Sequence, residues 1–472
     1  MTSAHTASLD PLDLEAFRRH AHSLVDWVAD YLAGLDNLSV CSTVNPGDVR
    51  AKLPQRAPEQ PEPFEALLTD LDRVVVPGIV HWQHPGWLGY FPAGSSPASV
   101  LGELACAGFG VVGMLWSSSP AATEIESHVL DWLVDLLGVP QHWKTTDIGG
   151  GVLQSGASAS THTMLVVARE VCRKRTGAAI DDMVVYTSRE AHSSVEKGAR
   201  VAGYRHIRFV GTDAEFAMRP DALAAAVESD RAGGLMPAFV CSTVGTTGTT
   251  AVDPVREIAA MARSEHLWHH VDAAYAGSAM ICDEFRPYQD GLELVDSYTF
   301  NPHKWLATNL DCSVMWVADR RPLIETLSIL PPYLQNAATA SGHVIDYRDW
   351  HLPLDRPFRA LKLWFVLRSF GADGLRKMIR NHVAWTRRIA KHIDRHPRLE
   401  RIAEVSFALV AFAHRDGNTA TDDLVERINR DGRFYITASE VDGRRYARIV
   451  VGSTWTTEAH IDAVWDLIDK SA

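Results

Sequence analysis

The residues best placed to do chemistry lie in the segment Ser297–Trp305, where an apolar run ends in a turn that carries a lysine between a histidine and a tryptophan. The ammonium group of a lysine is costly to remove from water, so lysines are seldom buried without a reason. Apolar and aromatic neighbours favour the neutral amine, which can form a Schiff base with a carbonyl group. Lys304 is therefore a candidate nucleophile. The alternative is a surface-turn lysine whose aliphatic chain packs on Trp305.

Two further segments carry groups that would complement such a lysine. Gly149–Thr161 combines glycines with small hydroxyl residues and is predicted to open a helix, whose free N–H groups suit a phosphate; the alternative is a flexible turn with a serine cap. Asp272 ends an apolar run, and a buried carboxylate needs a cationic partner such as a protonated pyridine nitrogen. Phosphate site, carboxylate and lysine are together the three contacts that pyridoxal 5'-phosphate requires, and His192 is the candidate for a planar face over its ring.

The elements that must position these groups alternate between short apolar strands and helices. The predicted strands are 182–186, 207–210, 238–242, 267–271, 297–300 and 313–317, with helices at 194–202, 220–229 and 254–264. This alternation predicts an α/β fold with a mostly parallel sheet and helices on both faces. Ligands of such sheets bind at the carboxyl ends of the strands. The residues that follow four of these ends include His192, Thr246, Asp272 and Lys304.

The remaining sequence is predicted to form an arm and a second domain. Residues 1–85 carry amphipathic helices that cannot bury their apolar faces alone, so we interpret them as an arm that packs on a second subunit. Residues 86–375 are assigned to the large domain, and residues 376–472 to a small α+β domain. The segment 319–345 is rich in Pro, Ala, Ser and Gly and is a candidate mobile lid.

Composition restricts the classes of function. The chain has 472 residues, a formal net charge of −12 and six cysteines, and its length allows about two or three domains. The absence of a Lys/Arg run predicts that nucleic acid is not a partner. Neither a signal-peptide pattern nor an apolar stretch of ~20 residues is present, so no membrane association is expected. The scattered cysteines, without a Cys-x-x-Cys pair, indicate reduced thiols and a cytoplasmic location.

Six motifs resemble those of one family. They are Tyr90–Pro92, Ser119–Pro120, Ala191–Glu196, Val271–Ala279, Asn301–Trp305 and Phe358–Phe365. They resemble the pyridoxal-phosphate-dependent group II amino acid decarboxylases, in particular the members that act on aromatic L-amino acids, from about residue 12 to the end of the chain. The resemblance implies a type I aminotransferase-like fold with a mostly parallel seven-stranded sheet. It also implies a homodimer in which the amino-terminal arm clasps the partner and the active site lies at the subunit interface.

The same resemblance implies roles for individual residues. Lys304 carries the cofactor aldehyde, Asp272 pairs with the pyridinium nitrogen, and His192 stacks on the ring and contacts the substrate carboxylate. Tyr333, in the candidate lid, delivers a proton after carbon dioxide has left. The implied cofactor-binding residues are Ala157, Ser158, His192, Thr246, Asp272, Ala274, Asn301, His303 and Lys304. The implied substrate-binding residues are Trp82, Tyr90, Phe91, Pro92, Ala93, Val112, Met114 and Asp355.

The implied reaction is the decarboxylation of an aromatic L-amino acid, of the tryptophan, DOPA, tyrosine or phenylalanine type, to the amine and carbon dioxide. Val112 and Met114 would reach the substrate pocket of the neighbouring subunit. Ala93, Met114 and Asp355 depart from the residues common in aromatic-acid members, which leaves histidine open as a substrate. We hypothesise that Asp355 faces the substrate side chain, repels acidic substrates and favours rings with an N–H or O–H donor.

Three alternatives remain at this point. Some relatives convert the same amino acids to aldehydes by oxidative deamination, typically with phenylalanine for the lid tyrosine or asparagine for the stacking histidine; this chain keeps both residues, which favours plain decarboxylation. A zinc hydrolase could use the cluster 265–270, but His269 and His270 point to opposite faces of a strand. A catalytically inactive scaffold that binds a partner through the arm would not need the lysine, aspartate and histidine set.

Overall fold

The structure is a computed structural model that describes residues 13–329, 331, 334 and 336–472. The strands, numbered in chain order, are β1 Gly150–Gln154, β2 Met183–Ser188, β3 His206–Val210, β4 Met236–Thr243, β5 Trp268–Asp272, β6 Ser297–Phe300, β7 Ser313–Val317, β8 Leu399–Arg401, β9 Leu409–His414, β10 Thr437–Val441 and β11 Arg444–Val450. The first seven include all six strands predicted for the large domain. Two of those six have the predicted bounds, and the others differ by at most two residues at either end.

The helices surround these strands. They are α1 Leu14–Ala33, α2 Asp48–Ala51, α3 Phe64–Asp70, α4 Val76–Gly78, α5 Pro97–Phe109, α6 Pro120–Leu137, α7 Ala157–Thr176, α8 Ser194–Val201, α9 Pro220–Ala232, α10 Val255–Ser264, α11 Pro302–Trp305, α12 Arg321–Leu327, α13 Ala337–Ser341, α14 Ala360–Arg395, α15 Asn418–Asp431 and α16 Glu458–Ser471. None of the helices in the described ranges is long and apolar enough to span a bilayer.

The large sheet has seven strands in the order β1-β7-β6-β5-β4-β2-β3. Strand β2 is parallel to β3 and β4, and β5 is parallel to β4 and β6, whereas β7 is antiparallel to β6 and β1. The predicted mostly parallel sheet is therefore confirmed. Thr243 pairs with Asp272, and Asp272 pairs with Thr299. The ends of β4, β5 and β6 consequently lie side by side, and the loops that follow them meet at one edge.

Alternate residues of the central strands face two separate cores, because successive side chains of a strand point to opposite faces. Val185 and Phe239 pack with Leu165 of α7 in one core. Val184 packs with Leu223 of α9 in the other core. Helices therefore cover both faces of the sheet, as the alternation of elements predicts.

A second sheet of four antiparallel strands, in the order β10-β11-β9-β8, lies in the carboxyl-terminal part of the chain. Helix α14 leads into it and is interrupted at Gly371, whose backbone has φ 63° and ψ 168°. Because only glycine adopts this conformation without strain, the interruption requires it. The expected domain boundary at residue 375 falls in the same helix, four residues after Gly371; the division at residues 85 and 375 stays a prediction.

The amino-terminal segment contains the amphipathic helices that its sequence predicts. Asp13 caps α1 by accepting a hydrogen bond from the Ala16 N–H at 2.8 Å. Trp27 on α1 donates to Asp72 at 2.9 Å, and Tyr31 contacts His81 Nδ1 at 2.8 Å. None of the residues of α1 is buried in the single chain, so its apolar stripe stays on the surface.

The glycine-rich segment Gly149–Thr161 differs in part from its prediction. It is expected to be a turn that opens a helix, but Gly150–Gln154 forms the buried strand β1, and α7 begins only at Ala157. A Cβ atom on Gly151 would lie 2.6 Å from Nε1 of Trp316, so this position must be glycine for the tryptophan to pack there. Glycine disfavours strands in general, which hides β1 from an argument based on residue preference.

Candidate active site

A cavity of about 280 Å³ lies where β4, β5 and β6 end. We refer to it as the cofactor cavity. Eight of the nine residues expected to bind a cofactor line it, namely Ala157, Ser158, His192, Asp272, Ala274, Asn301, His303 and Lys304. They come from four separate segments of the chain, and the shared edge of the parallel strands brings them together.

Lys304 lies on the short helix α11, directly after β6. Its Nζ atom lies 4.9 Å from the ring centroid of Phe91. Burial lowers the pKa of Lys304, Asp272 opposes this effect, and Arg448 adds to it. Trp305 is itself buried and stacks on Tyr275, with ring centroids 4.7 Å apart. The alternative of a surface lysine with its chain on this tryptophan is therefore wrong.

The turn that holds Lys304 is fixed by a close backbone approach. The Gly94 N–H donates to the carbonyl oxygen of His303 at 2.6 Å. A Cβ atom on Gly94 would lie 3.3 Å from the carbonyl oxygens of His303 and Lys304. The loop that follows Phe91 thus presses against the backbone of the lysine turn, and a larger residue at position 94 would displace it.

Asp272 is the last residue of β5 and is 4% exposed. One of its carboxylate oxygens accepts a hydrogen bond from the Ala274 N–H at 2.9 Å. The carboxylate acts electrostatically on both Lys304 and His192, because its charge raises the pKa of each. It is therefore a buried anion at the cavity, suited to a cationic ring nitrogen.

The first turn of α7 borders the cavity at Ala157 and Ser158. The first N–H groups of a helix have no partner inside the helix, and the helix dipole adds positive potential there. The cap residue, Gly156, supplies no capping side chain, and a Cβ at this position would meet open space. This end of the cavity is accordingly suited to an anion such as a phosphate.

His303 and Asn301 add polar groups to this cavity. The Cys312 N–H donates to Nδ1 of His303 at 2.9 Å, so the ring proton resides on Nε2. Burial lowers the pKa of His303 to about 4, so the ring is a neutral donor at pH 7. The buried side-chain oxygen of Asn301 has no hydrogen-bond partner within the described residues.

His192 has a similar arrangement in the turn after β2. The Ser194 N–H donates to His192 Nδ1 at 3.1 Å, and Ser194 Oγ lies 2.8 Å from the same nitrogen. The ring proton is therefore on Nε2. Burial lowers the pKa of His192, which keeps the ring neutral at pH 7. The imidazole can both cover a planar ring and donate one hydrogen bond.

Thr246 is the one predicted cofactor residue that does not line the cavity. Its hydroxyl oxygen accepts from the Ala251 N–H at 3.0 Å and lies 3.3 Å from Thr249 Oγ1. Thr243 and Thr247 line the cavity instead. Residues that follow the end of a strand are expected to border the ligand, so the sequence indicates this loop. Only the tertiary structure determines which threonines of the loop line the cavity.

Of the expected substrate residues, Phe91 lines the cavity and stacks on Tyr275 at 4.2 Å between centroids. Trp82 and Tyr90 stack on each other at 5.8 Å. Tyr90 borders a second cavity of about 680 Å³, between the turn after β2 and the small sheet. Pro92 packs against Gly452, and the Ala93 carbonyl accepts a hydrogen bond from Gln83 at 2.6 Å.

Val112, Met114 and Asp355 lie together elsewhere, and we refer to them as the outer patch. The Gly113 N–H donates to the Arg356 carbonyl at 2.8 Å, and the Arg348 N–H donates to the Met114 carbonyl at 3.0 Å. Val112 is 42% exposed, and Asp355 is also exposed. The three residues do not belong to the lining of the cofactor cavity in the described part of this chain. Tyr333 lies outside the described residues.

Leu310 is a cavity residue that the sequence did not indicate. It lines the cofactor cavity while 65% of it remains exposed. It lies in the loop between α11 and β7, where the sequence offers no chemical motif. An apolar residue at the mouth of a cavity is recognisable only once the loop is placed.

The histidines considered for a metal site have other partners. His269 Nε2 lies 2.7 Å from Ser242 Oγ, and His270 Nδ1 lies 2.9 Å from Ser297 Oγ. In the described ranges, no group of three or more His, Cys, Asp or Glu side chains is arranged to hold a metal ion. The geometry gives the zinc alternative no support.

The features of the cavity fit pyridoxal 5'-phosphate. A helix N-terminus with a neutral histidine donor suits its phosphate, the Asp272 carboxylate suits its protonated ring nitrogen, and the Lys304 amine suits its aldehyde. When bound, this cofactor supplies an electron sink for the bond broken at the substrate Cα.

Comparison with known proteins agrees with this fit. Residues 46–415 match the family described as "Pyridoxal-dependent decarboxylase conserved domain". Tyrosine decarboxylase 2 from Narcissus pseudonarcissus is 40% identical over 98% of this chain and 95% of its own length. Phenylacetaldehyde synthase from Arabidopsis thaliana is 40% identical over 98% and 97%.

The chain belongs to the pyridoxal-dependent decarboxylase family. It is a pyridoxal-phosphate-dependent amino acid decarboxylase, as the resemblance of its motifs implies. The crystal structure of Oryza sativa TDC with PLP and tryptamine superposes with a TM-score of 0.96 and 37% identity, covering 98% of this chain and 99% of that one. The expected type I aminotransferase-like fold is thereby confirmed.

Proposed function

We propose that the enzyme decarboxylates an aromatic L-amino acid of the tryptophan, tyrosine, DOPA or phenylalanine type to the corresponding amine. The observation that carries the proposal is the meeting of Lys304, Asp272 and the N-terminus of α7 in one cavity with an aromatic wall. Phe91 and Tyr275 form that wall. The relatives named for tyrosine decarboxylation and the neighbour with bound tryptamine support the same substrate class.

Each residue of the cavity has a proposed task. Lys304 offers its amine to the cofactor aldehyde, and burial disfavours the charged form of that amine. Asp272 keeps a proton on the ring nitrogen. His192 covers the ring and directs its Nε2–H toward the substrate carboxylate, while the Ser194 N–H holds its Nδ1. Tyr333 is retained as the proposed proton donor to Cα, by the family resemblance.

Ala157, Ser158, Asn301 and His303 are proposed to hold the phosphate. The support is the free first turn of α7 and the donor tautomer of His303. Thr246 and Ala274 are proposed to line the cofactor; for Thr246 the contact would be through its backbone, since its hydroxyl is engaged by Ala251.

Release of carbon dioxide tests the substrate proposal directly. The holoenzyme would be assayed with tryptophan, tyrosine, DOPA, phenylalanine and histidine, and with glutamate as an acidic control. We expect one or more aromatic acids to exceed glutamate by about 10³ in kcat/KM, because an acidic side chain would lie against an apolar wall. Glutamate or histidine as the best substrate would refute the aromatic assignment.

Oxidative deamination is the second candidate reaction, because a relative that is 40% identical is named phenylacetaldehyde synthase. The chain keeps the histidine and the tyrosine that are typical of decarboxylases, at His192 and Tyr333. Both residues favour formation of the amine. Amine, aldehyde, ammonia and hydrogen peroxide would be quantified in the same reaction. Peroxide and ammonia in amounts equal to carbon dioxide would assign the chain to the aldehyde-forming branch.

The enzyme is further proposed to be a homodimer whose outer patch completes the neighbouring site. Large apolar side chains are exposed on α1 and α5 of the single chain, including Phe17 (65%), Leu101 (50%) and Phe109 (64%). Exposure of this extent is typical of an interaction surface. The loop after α5 carries Val112 and Met114, so a partner that covers α5 would bring both residues to its own cavity.

Mixing two inactive variants tests this shared site. Lys304→Ala removes the lysine from one subunit, and Val112→Arg blocks the site of its neighbour. A 1:1 mixture that is refolded together should regain about a quarter of wild-type activity, because half of the dimers then contain one intact site. An inactive mixture, or a mass of one 52.0 kDa chain in solution, would contradict the proposal.

The cytoplasm is the proposed location. All six cysteines lie in the described ranges and none forms a disulfide, and four of them are buried. Reduced, buried thiols are typical of a reducing compartment. Fractionation of the source cells with an antibody to the chain would test the location.

A further inference from the structure

Arg448 is a buried cation beside the cofactor cavity that the motifs do not include. It lies on β11 of the small sheet and is 5% exposed. Its guanidinium donates to the carbonyl oxygens of Thr247 at 2.6 Å and Gly248 at 3.0 Å, and to Thr437 Oγ1 at 3.2 Å. A third carbonyl, that of Tyr90, lies 3.4 Å away. One side chain of the small sheet thus holds the loop after β4 and the segment before Phe91.

No carboxylate among the described residues forms a salt bridge with Arg448, and the acidic residues at the cavity of about 680 Å³ that it borders are Glu190 and Glu440. The groups that act on its pKa are Tyr446 and Tyr275, and burial lowers that pKa. Thr247 and Gly248 supply only neutral carbonyl dipoles. A buried guanidinium without an anion costs folding free energy. A buried charge without a salt bridge next to a catalytic cavity is a candidate for a functional role.

Arg448 and Lys304 share the ring of Phe91. The Arg448 Cζ lies 5.5 Å from the ring centroid and the Lys304 Nζ lies 4.9 Å from it. The two cations are therefore no farther apart than the sum of these distances. Two like charges at such a separation disfavour the charged form of the group that can lose its proton, and between these two that group is the lysine.

We propose that Arg448 is a positioning residue that holds the Thr247–Gly248 loop and Phe91 against Lys304, and that its positive charge disfavours the protonated form of the Lys304 amine before the cofactor binds. A larger fraction of the amine is then free to attack the cofactor aldehyde. The proposal concerns the cofactor-free enzyme and is independent of which amino acid is the substrate.

The other ionisable groups around Lys304 do not supply a positive charge that would oppose Asp272. Asp272 favours the ammonium form of the lysine. His192 and His303 have lowered pKa values and are neutral at pH 7. Among the described residues, Arg448 is therefore the one cation that opposes Asp272, and burial acts in the same direction as Arg448.

Reactivity of Lys304 toward a small acylating reagent tests the proposal without turnover. The apoenzyme would be labelled with trace acetic anhydride from pH 6 to pH 10, and labelling of the Lys304 peptide would be measured by mass spectrometry. In Arg448→Gln, which keeps N–H donors but removes the charge, we expect labelling at pH 7.5 to be several-fold slower and the rate profile to move to higher pH. Arg448→Lys should stay close to wild type.

The matched control is Arg445→Gln. Arg445 lies on the same strand, but its charge is paired with Asp422 at 2.8 Å, so its loss should leave Lys304 labelling unchanged. An unchanged profile in Arg448→Gln would overturn the electrostatic role. An equal change in Arg448→Gln and Arg448→Lys would overturn it too, because the charge is kept in the lysine variant.

A second neutral variant, Arg448→Met, covers the case in which Arg448→Gln does not fold. Thermal unfolding of each apoenzyme, followed by circular dichroism, would establish folding before labelling. If both neutral variants fail to fold while Arg448→Lys folds, the charge serves the fold and the proposal is rejected. Failure of the carbon dioxide assay, in contrast, would affect only the proposed substrate.

Discussion

The cofactor cavity and the outer patch differ in how the chain builds them. The cavity is formed within one chain by segments that include those following β4, β5 and β6, and its Asp272 and His303 side chains have defined hydrogen-bond partners. Val112 and Asp355 of the outer patch are exposed, and the hydrogen bonds of Val112 and Met114 within the chain include those that their backbone carbonyls accept from Ser118 and Arg348. The residues for the chemistry shared by the family thus meet within one chain, whereas three residues expected to select the substrate lie apart from them, where the proposed second subunit would use them.

Of the substitutions that test this comparison, removal of Lys304 is expected to lower the catalytic rate most. In Lys304→Ala we expect kcat for carbon dioxide release to fall by about 10⁴ or more, because a substituted alanine cannot bind the cofactor aldehyde. Lys197→Ala, at an exposed lysine of α8, should keep wild-type activity. Retention of even a tenth of kcat in the Lys304 variant would mean that the cavity is not the catalytic site.

Loss of the charge at Asp272 should have the next largest effect. Asp272→Asn is expected to lower kcat by about 10²–10³ at saturating cofactor, because a neutral amide cannot stabilise a protonated ring nitrogen. The control is Asp290→Asn, at an exposed aspartate paired with Arg256. A kcat within twofold of wild type would remove Asp272 from its proposed role.

The stability of the apoenzyme should depend on pH through a buried histidine of the cavity and not through a histidine on the surface. The pKa of His303 in the folded chain is about 4, below the ordinary value of 6.5, so the unfolded chain takes up this proton first as the pH falls. The stability that the neutral ring contributes is therefore present above about pH 6.5 and is lost progressively toward pH 4. At pH 4 this amounts to a loss on the order of 3 kcal/mol.

Urea unfolding of wild type and His303→Asn at pH 7 and pH 4 would measure this effect. We expect the free energy of unfolding to fall less with acid in the variant, because asparagine can accept the Cys312 N–H but takes up no proton. His20→Asn, on the surface helix α1, is the control and should follow wild type. An equal acid sensitivity of His303→Asn and wild type would show that His303 is not buried as the structure describes.

The smallest effect is expected in the outer patch. Asp355→Gly should change the relative kcat/KM of tryptophan, tyrosine and phenylalanine by about tenfold or less, because one contact to the substrate ring is altered. Cofactor binding should not change. An unaltered ranking of substrates would remove Asp355 from the substrate pocket, and a loss of cofactor affinity would connect the patch with the cavity.

The strands and their ends were accessible to sequence reasoning because β-branched and apolar runs alternate clearly with helical segments. The predicted bounds of 297–300 and 313–317 are those of β6 and β7. Strand β1 is not predicted from the sequence, because its glycines accommodate Trp316 and Trp350, which lie more than 160 residues later in the chain. The sequence indicates Thr246, whereas Thr243 and Thr247 line the cavity, since the local sequence does not determine which residues of a tight loop border it. Arg448 and Leu310 carried no motif at all.

The sequence by itself determined the alternation of strands and helices, the lysine, aspartate and histidine of the cavity, and the family to which the chain belongs. These features are local, because each depends on residue types within one segment. Only the tertiary structure decided that Asp272 acts on Lys304, that the neutral forms of His192 and His303 are favoured, and that Arg448 faces the same aromatic ring as the lysine. Burial and charge interactions depend on neighbours that are distant in sequence, and folding alone brings them together.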